Sequence, residues 1–195
     1  EIPLPHSRSG QASGIQQATS DFIRQGHRRI VLIASQALRK PQPSPGCSAF
    51  IDVLKANKLS VSDFNLPDWD TSPDGLYSLL ERLFRFTPPT GILTIEPGHT
   101  FAVLSFLAQR GLRVPEDVSL FCAIPDPLFR WHRPAIGTLN YRSEPHVQRM
   151  VQWLQSLESG SIFQGSQTIP LGYLPGGCVG PAKGLKDQEN DRARR

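Results

Sequence analysis

The chain has 195 residues, of which 38% are hydrophobic, 19% charged, 18 proline and 16 glycine. That composition suits one domain-sized core with many turns and excludes collagen, coiled coil and wholesale disorder. The net charge of +4 is spread out: the last 13 residues hold five basic and three acidic side chains, the other 182 hold 16 and 14. A nucleic-acid reader gathers basic charge on one face, so direct DNA contact by this segment is not expected. No run of 18 apolar residues occurs, and the opening EIPLPHSRSG lacks the basic-then-apolar order of a signal peptide. Cys47, Cys122 and Cys178 are odd in number and in no CxxC or CxxH spacing, which reads as reduced, buried thiols and a cytoplasmic setting. A start at Glu1 rather than Met is expected of a fragment or a processed product.

Residues 1–11, with Pro3, Pro5 and Gly10, read as an extended linker or crossover. A helix follows, capped by Ser9 or Ser13, with Ile15, Ala18, Phe22 and Ile23 on one stripe and Gly26 at its end. The run Arg29 to Ala34 is too short for a helical period and is β-branched, as in a buried parallel strand. After a proline-rich loop (35–45), a helix from about Cys47 to Lys58 is expected to turn Phe50, Val53 and Leu54 inward. Ser72-Pro73-Asp74 opens a further helix to Phe86, with proline at the first helical position and an acid behind it. Gly91–Ile95 is the next strand. Gly98 to Arg110 is the next helix, with Phe101, Leu104, Leu107 and Ala108 inward and Gly111 as its cap, and Val118–Ile124 is another strand. Strands alternating with helices of this length predict βαβ units on a doubly wound parallel sheet.

After Pro134 the expected elements are a strand at 136–140 and a helix from Pro145 to Leu157 with the stripe Val147, Met150, Val151, Leu154 and Leu157. Short strands at 168–171 and 178–179 follow, then a charged, disordered tail from 183 to 195.

Enzyme chemistry finds little support. Gly10 to Gly14 lacks the Lys-Ser/Thr pair of a phosphate loop, no G-x-S-x-G elbow occurs, and the five histidines show neither HxxxH nor HxH spacing. No metal site, cofactor or catalytic residue is therefore expected. His27 reads as a cation at the end of the first helix. An open α/β sheet holds its ligand outside the carboxyl ends of its strands. The polar and aromatic residues there are Ser35 and Gln36, Glu96 and His99, Asp126 with Phe129, Arg130, Trp131 and His132, and a loop holding Asp68, Trp69 and Asp70. Carboxylates beside aromatic faces suit a sugar-like molecule, and the ligand residues expected from this set are Glu96, Asp126, Trp131, Phe129, Ser35 and Trp69. Taken singly, each reads more simply as an ordinary loop residue; it is the set that points to a ligand.

Thr19 to Ile33, and Gly111-Leu112-Arg113-Val114-Pro115-Glu116-Asp117-Val118-Ser119-Leu120, resemble the sensor domain of LacI/GalR-type bacterial transcription regulators. Pro89 to Leu93, Pro134 to Leu139 and Gly176 to Pro181 fit as well, so the likeness runs from about residue 10 to 182. It implies a periplasmic-binding-protein-like (type I) fold of two hinged α/β subdomains. Residues 12–133 would form one nearly complete subdomain, and 134–182 would be the returning elements of the other. It also implies an effector-sensing homodimer that reaches operator DNA through an N-terminal domain absent from this chain, with a periplasmic sugar-binding protein of a transport system as the alternative. Where the family usually binds ligand, this chain departs: Gly46 stands roughly where an Arg is usual, Glu96-Pro97 replaces Asn-Asp, and Ile124-Pro125 replaces an Asp pair, with Asp126 displaced. Such a rewritten pocket implies either a different ligand or a sensor retained as a dimer scaffold.

Overall fold

The fold was obtained as a computed structural model that describes residues 7–159 and 167–183. Its centre is a parallel three-stranded sheet of β2 (Ile30–Ile33), β3 (Gly91–Thr94) and β4 (Ser119–Cys122), in the order β2-β3-β4. Ile30 pairs with Gly91 and Gly91 with Ser119, so the strands start level, and every strand residue is buried. Irregular segments extend both edges. The Leu32 N–H donates to Asn65 O at 2.8 Å on one side, and the Cys122 N–H donates to Gly137 O at 3.1 Å on the other.

Alternation along the strands builds two cores. Ile30, Leu32, Leu93 and Phe121 meet Ile15, Ala18 and Phe22 of α1 (Gln11–Arg24) and Phe50 and Leu54 of α3 (Pro45–Ala56). Val31, Ile33, Ile92 and Leu120 meet Leu76, Leu79 and Leu80 of α4 (Pro73–Phe86) and Val103, Phe106 and Leu107 of α5 (Pro97–Gln109). Sheet, helices on both faces and short connections agree with the expected α/β class. Ser44 caps α3 by accepting from the Cys47 N–H, and Ser72 caps α4 by accepting from the Gly75 N–H at 3.0 Å, each followed by proline.

Several local expectations need correction. The cap of α1 is Gly10 with no side-chain bond, because the Ser13 hydroxyl donates instead to Leu171 O at 3.0 Å. The loop after β2 holds a single helical turn, α2 (Gln36–Arg39). On α5 the buried line runs through Thr100, Val103, Phe106 and Leu107, which leaves Ala108 exposed and sets Phe101 against the ring of Phe129, 5.5 Å away between centroids. Residues 178–179 form no strand of their own; the Cys178 carbonyl accepts from the Leu120 N–H at the edge of β4. All three cysteines are free and buried, as expected.

His27 is not a helix-end cation. It is buried, and its two ring nitrogens reach Thr90 Oγ1 at 3.0 Å and Gly180 O at 2.9 Å. A carbonyl only accepts, so Nε2 carries the proton and Nδ1 accepts from the Thr90 hydroxyl. Burial is the main force holding the ring's pKa below 6.5, and the imidazole is neutral.

The chain returns through β5 (Thr138–Asn140), α6 (Glu144–Glu158), β6 (Gln167–Pro170) and β7 (Gly172–Leu174). β5 pairs antiparallel with β7, and β6 pairs parallel with β1 (Ser7–Gly10). Ile136, Leu139, Leu171 and Cys178 enter the two cores. At the closing turn, a Cβ on Gly176 would fall on the backbone of Gly137 and Ala135, which only glycine avoids. The stripe of α6 stays outside: Val147 and Met150 are each 57% exposed and Leu154 50%. The expected tail lies outside the described residues apart from Lys183, as do residues 1–6 of the expected linker.

Two outcomes follow from this packing. A group whose folded pKa lies below its unfolded value stabilises fully above the unfolded pKa and loses that contribution as pH falls through it. His27→Phe strands the Thr90 hydroxyl and Gly180 carbonyl and should cost about 1–3 kcal/mol at pH 7.5. The gap from the unsubstituted chain should narrow at pH 5.5, below the ordinary histidine value of 6.5, in urea melts at the two pH values. Hydrogen exchange should show α6 amides opening about a hundredfold faster than those of β2, β3 and β4, since its apolar stripe adds little burial.

Candidate functional site

Three loops leave the carboxyl ends of the central strands, and a fourth, 66–72, flanks β2. The loop after β2 is pinned by Arg39, whose buried guanidinium donates to Ala34 O and Trp69 O at 2.9 Å each and pairs with Asp68. It also lies 5.9 Å from the centroid of the Trp69 ring. Trp69 Nε1 donates to the same Ala34 carbonyl at 3.0 Å. Lys40 also grips Asp68, and Lys40 first, then Arg39, holds that carboxyl down at about 2. Beside this hub, Ser35, Gln36, Lys40 and Thr71 line an open cleft of about 870 Å³. The Gln36 N–H donates to Thr71 Oγ1 at 3.0 Å, which closes one wall.

The loop after β3 becomes the first turn of α5. Thr100 fixes it, its hydroxyl 2.5 Å from Thr94 Oγ1 on the strand and 3.3 Å from Glu96 O. This turn sets His99 edge-on to Trp69, with centroids 5.2 Å apart, and places its Nε2 3.8 Å from Glu96 Oε2. Burial holds His99 below the usual histidine value despite the opposing pull of Glu96. Its Nδ1 is buried with no hydrogen-bond partner among the described residues. Nε2, the nitrogen beside the Glu96 carboxylate, can bond to a ligand hydroxyl in either direction, according to which tautomer the ligand selects.

The loop after β4 carries a short 3-10 helix, Pro127–Trp131. Asp126 caps it, Oδ1 accepting from the Leu128 N–H at 2.8 Å, and leaves its other carboxylate oxygen for other partners. Asp126, Phe129, Arg130, Ile136 and Thr138 line a cavity of about 370 Å³.

The six expected ligand residues thus fall into different settings. Glu96 and Trp69 meet across His99, and Ser35 stands half-buried in the cleft beside Arg39 and Lys40. Asp126 and Phe129 share the smaller cavity, but Phe129 is 3% exposed and belongs to the core. Trp131 projects into solvent, 82% exposed. Arg39, Lys40 and Thr71 escaped the sequence reading. The one available signal was the basic pair ahead of Pro41, two adjacent charges in the loop that leaves a fully apolar strand.

Exposure separates what the two tryptophans can report. Trp69→Ala removes a packed ring and the Ala34 bond and should cost about 3–5 kcal/mol in chemical denaturation, whereas Trp131→Ala should stay within about 0.5 kcal/mol. Any loss of ligand affinity in the second variant is then a contact effect and not unfolding.

Residues 19–175 match the periplasmic binding protein-like domain. The repressor named HTH-type transcriptional repressor PurR from Pasteurella multocida is 27% identical over 128 residues, 63% of this chain and 37% of that protein. The chain therefore spans little more than a third of that curated relative. Among solved structures, a LacI family transcriptional regulator from Enterococcus faecium with bound ribose superposes with a TM-score of 0.75 at 17% identity, over 91% of this chain and 66% of that one. A sugar-binding LacI-family regulator from Escherichia coli complexed with phosphate gives 0.74 at 16%, over 89% and 62%, and the transcriptional regulator CelR–cellobiose complex gives 0.71 at 20%, over 90% and 54%. These structural likenesses establish the architecture, and the domain match extends across most of the sequence. The chain belongs to the periplasmic binding protein-like domain family.

Proposed function

We propose that this chain is the effector-sensing part of a cytoplasmic homodimeric transcription regulator, that its ligand is sugar-like, and that it has no catalytic role. Operator DNA would be read by an N-terminal domain outside this sequence. In this reading residues 12–133 form one subdomain and 134–182 are the returning elements of its partner subdomain. The observation that carries the proposal is the set of polar groups at the carboxyl ends of the strands: Glu96 beside His99, Ser35 in the open cleft and Asp126 in the smaller cavity, with the exposed ring of Trp131 on the turn that follows it. A sugar presents hydroxyls to such groups and apolar ring carbons to the aromatic faces. The named relatives are regulators, which favours gene control over a transport receptor.

The exposed stripe of α6 supports a further covering element, since contiguous exposed apolar side chains draw a partner. A dimer also suits paired DNA half-sites, where two linked readers bind more tightly than one.

Calorimetric titration of the full-length protein with pentoses, hexoses and uronates tests the assignment. Losing a hydrogen bond between a buried carboxylate and a hydroxyl costs roughly 1.5–3 kcal/mol, about tenfold to a hundredfold in affinity. Glu96→Ala and Asp126→Asn should each show that loss. Asparagine is chosen at 126 because it keeps the cap on the 3-10 helix. Binding left unchanged in both variants would place the pocket elsewhere, and no binding of any sugar would favour a dimer scaffold.

A further inference from the structure

A second cavity, of about 400 Å³, lies at the opposite end of the same sheet. Arg29, Thr90 and Val118, which lead into β2, β3 and β4, all line it. Its apolar lining comes from Phe84, Pro88, Pro89, Leu112 and Val118. Three cations border it, Arg29, Arg110 and Lys183, against the single carboxylate of Asp117.

The cations are held in place without being used up. Arg29 Nε donates to Pro88 O at 2.7 Å, which aims the guanidinium and leaves its terminal N–H groups for a ligand. Arg110 lies 4.7 Å from the Phe106 ring centroid and pairs with Glu81, an exposed carboxylate outside the cavity lining. Lys183 bonds Asp117 at 2.7 Å, while Asp117 also accepts from the Arg113 N–H at 3.0 Å. Even with Glu81 counted, positive charge remains in excess. Surface pairs of this kind contribute little and exchange partners readily.

We infer that this cavity is a binding site for a small organic anion with a flat apolar body, an aromatic carboxylate in the simplest case, separate from the crevice at the other end of the strands. The volume falls in the range of small-molecule pockets. A guanidinium meets a carboxylate with two parallel hydrogen bonds, which a point charge cannot do. The ring would lie on Phe84, Pro89 and Leu112, while the carboxylate faces Arg29 and Arg110. The site also touches the fold's closing brace: Thr90 at its edge bonds buried His27, which bonds Gly180 three residues before Lys183.

Benzoate, inorganic phosphate and benzyl alcohol, titrated into the chain at moderate salt and followed by amide chemical shifts, test this. Benzoate should saturate with shifts at Thr90, Leu112 and Val118 and none at Ser35 or Thr71, while the other two bind at least about tenfold more weakly. Arg29→Gln and Arg110→Gln should each weaken benzoate about tenfold, with the thermal midpoint unchanged. No saturable benzoate binding, equal binding of phosphate, or undiminished binding in the double variant would each overturn the assignment. Sugar binding at the far end is read separately, so failure of one site leaves the other standing.

Discussion

One neutral imidazole joins parts of the chain that are far apart in sequence. His27 follows α1, accepts a hydrogen bond at Nδ1 from the Thr90 hydroxyl ahead of β3, and donates one from Nε2 to the Gly180 carbonyl in the closing segment. Around it, the Ser119 hydroxyl and the Gly180 N–H meet at 3.0 Å, and the Ala182 N–H reaches Gln25 O at 2.8 Å. The end of α1, the starts of β3 and β4 and the last described turn are thereby fixed to one another. Because the strands start level, fixing their amino ends also fixes where their carboxyl ends, and the loops that leave them, must fall.

Those loops are held by a second kind of brace, which is charged. Arg39 is a buried cation satisfied by two carbonyls and the carboxylate of Asp68. A buried guanidinium with fewer partners would be costly, so Trp69 and its loop are set rigidly against the end of β2. His99 then packs on Trp69, and Glu96 approaches His99. Glu96 and His99 are therefore set against a loop that Arg39 and Trp69 fix by hydrogen bonds to backbone, an arrangement that limits the rearrangement needed on binding.

Sequence reading located the strands and the helices beside them because burial on both faces leaves an unbroken apolar run, and because the Ser-Pro pair at 72–73 marks a helix start; the same pair at 44–45 falls within the expected loop, and α3 begins two residues earlier than expected. It misread His27, since a histidine after a helix gives the same local signal whether it faces water or bonds a carbonyl 153 residues away. The candidate site was legible only in part. Strand ends named Ser35, Glu96 and Asp126, but the burial of Phe129 under Phe101 and the role of Arg39 are set by contacts between distant segments. Trp131 shows the converse: its exposure is set locally, by the 3-10 turn that directs it to solvent.

The brevity of the central strands has its own consequence. Four residues of parallel strand span only ~13 Å, so the two ends of the sheet are separated by less than the width of a small domain. That gap still exceeds the screening length of about 8 Å at physiological salt, and charge arriving at one end is little felt at the other through solvent. Whatever one end of this sheet senses of the other must travel as a displacement of backbone, strand against strand, along rods too short and too well hydrogen-bonded to absorb it by bending.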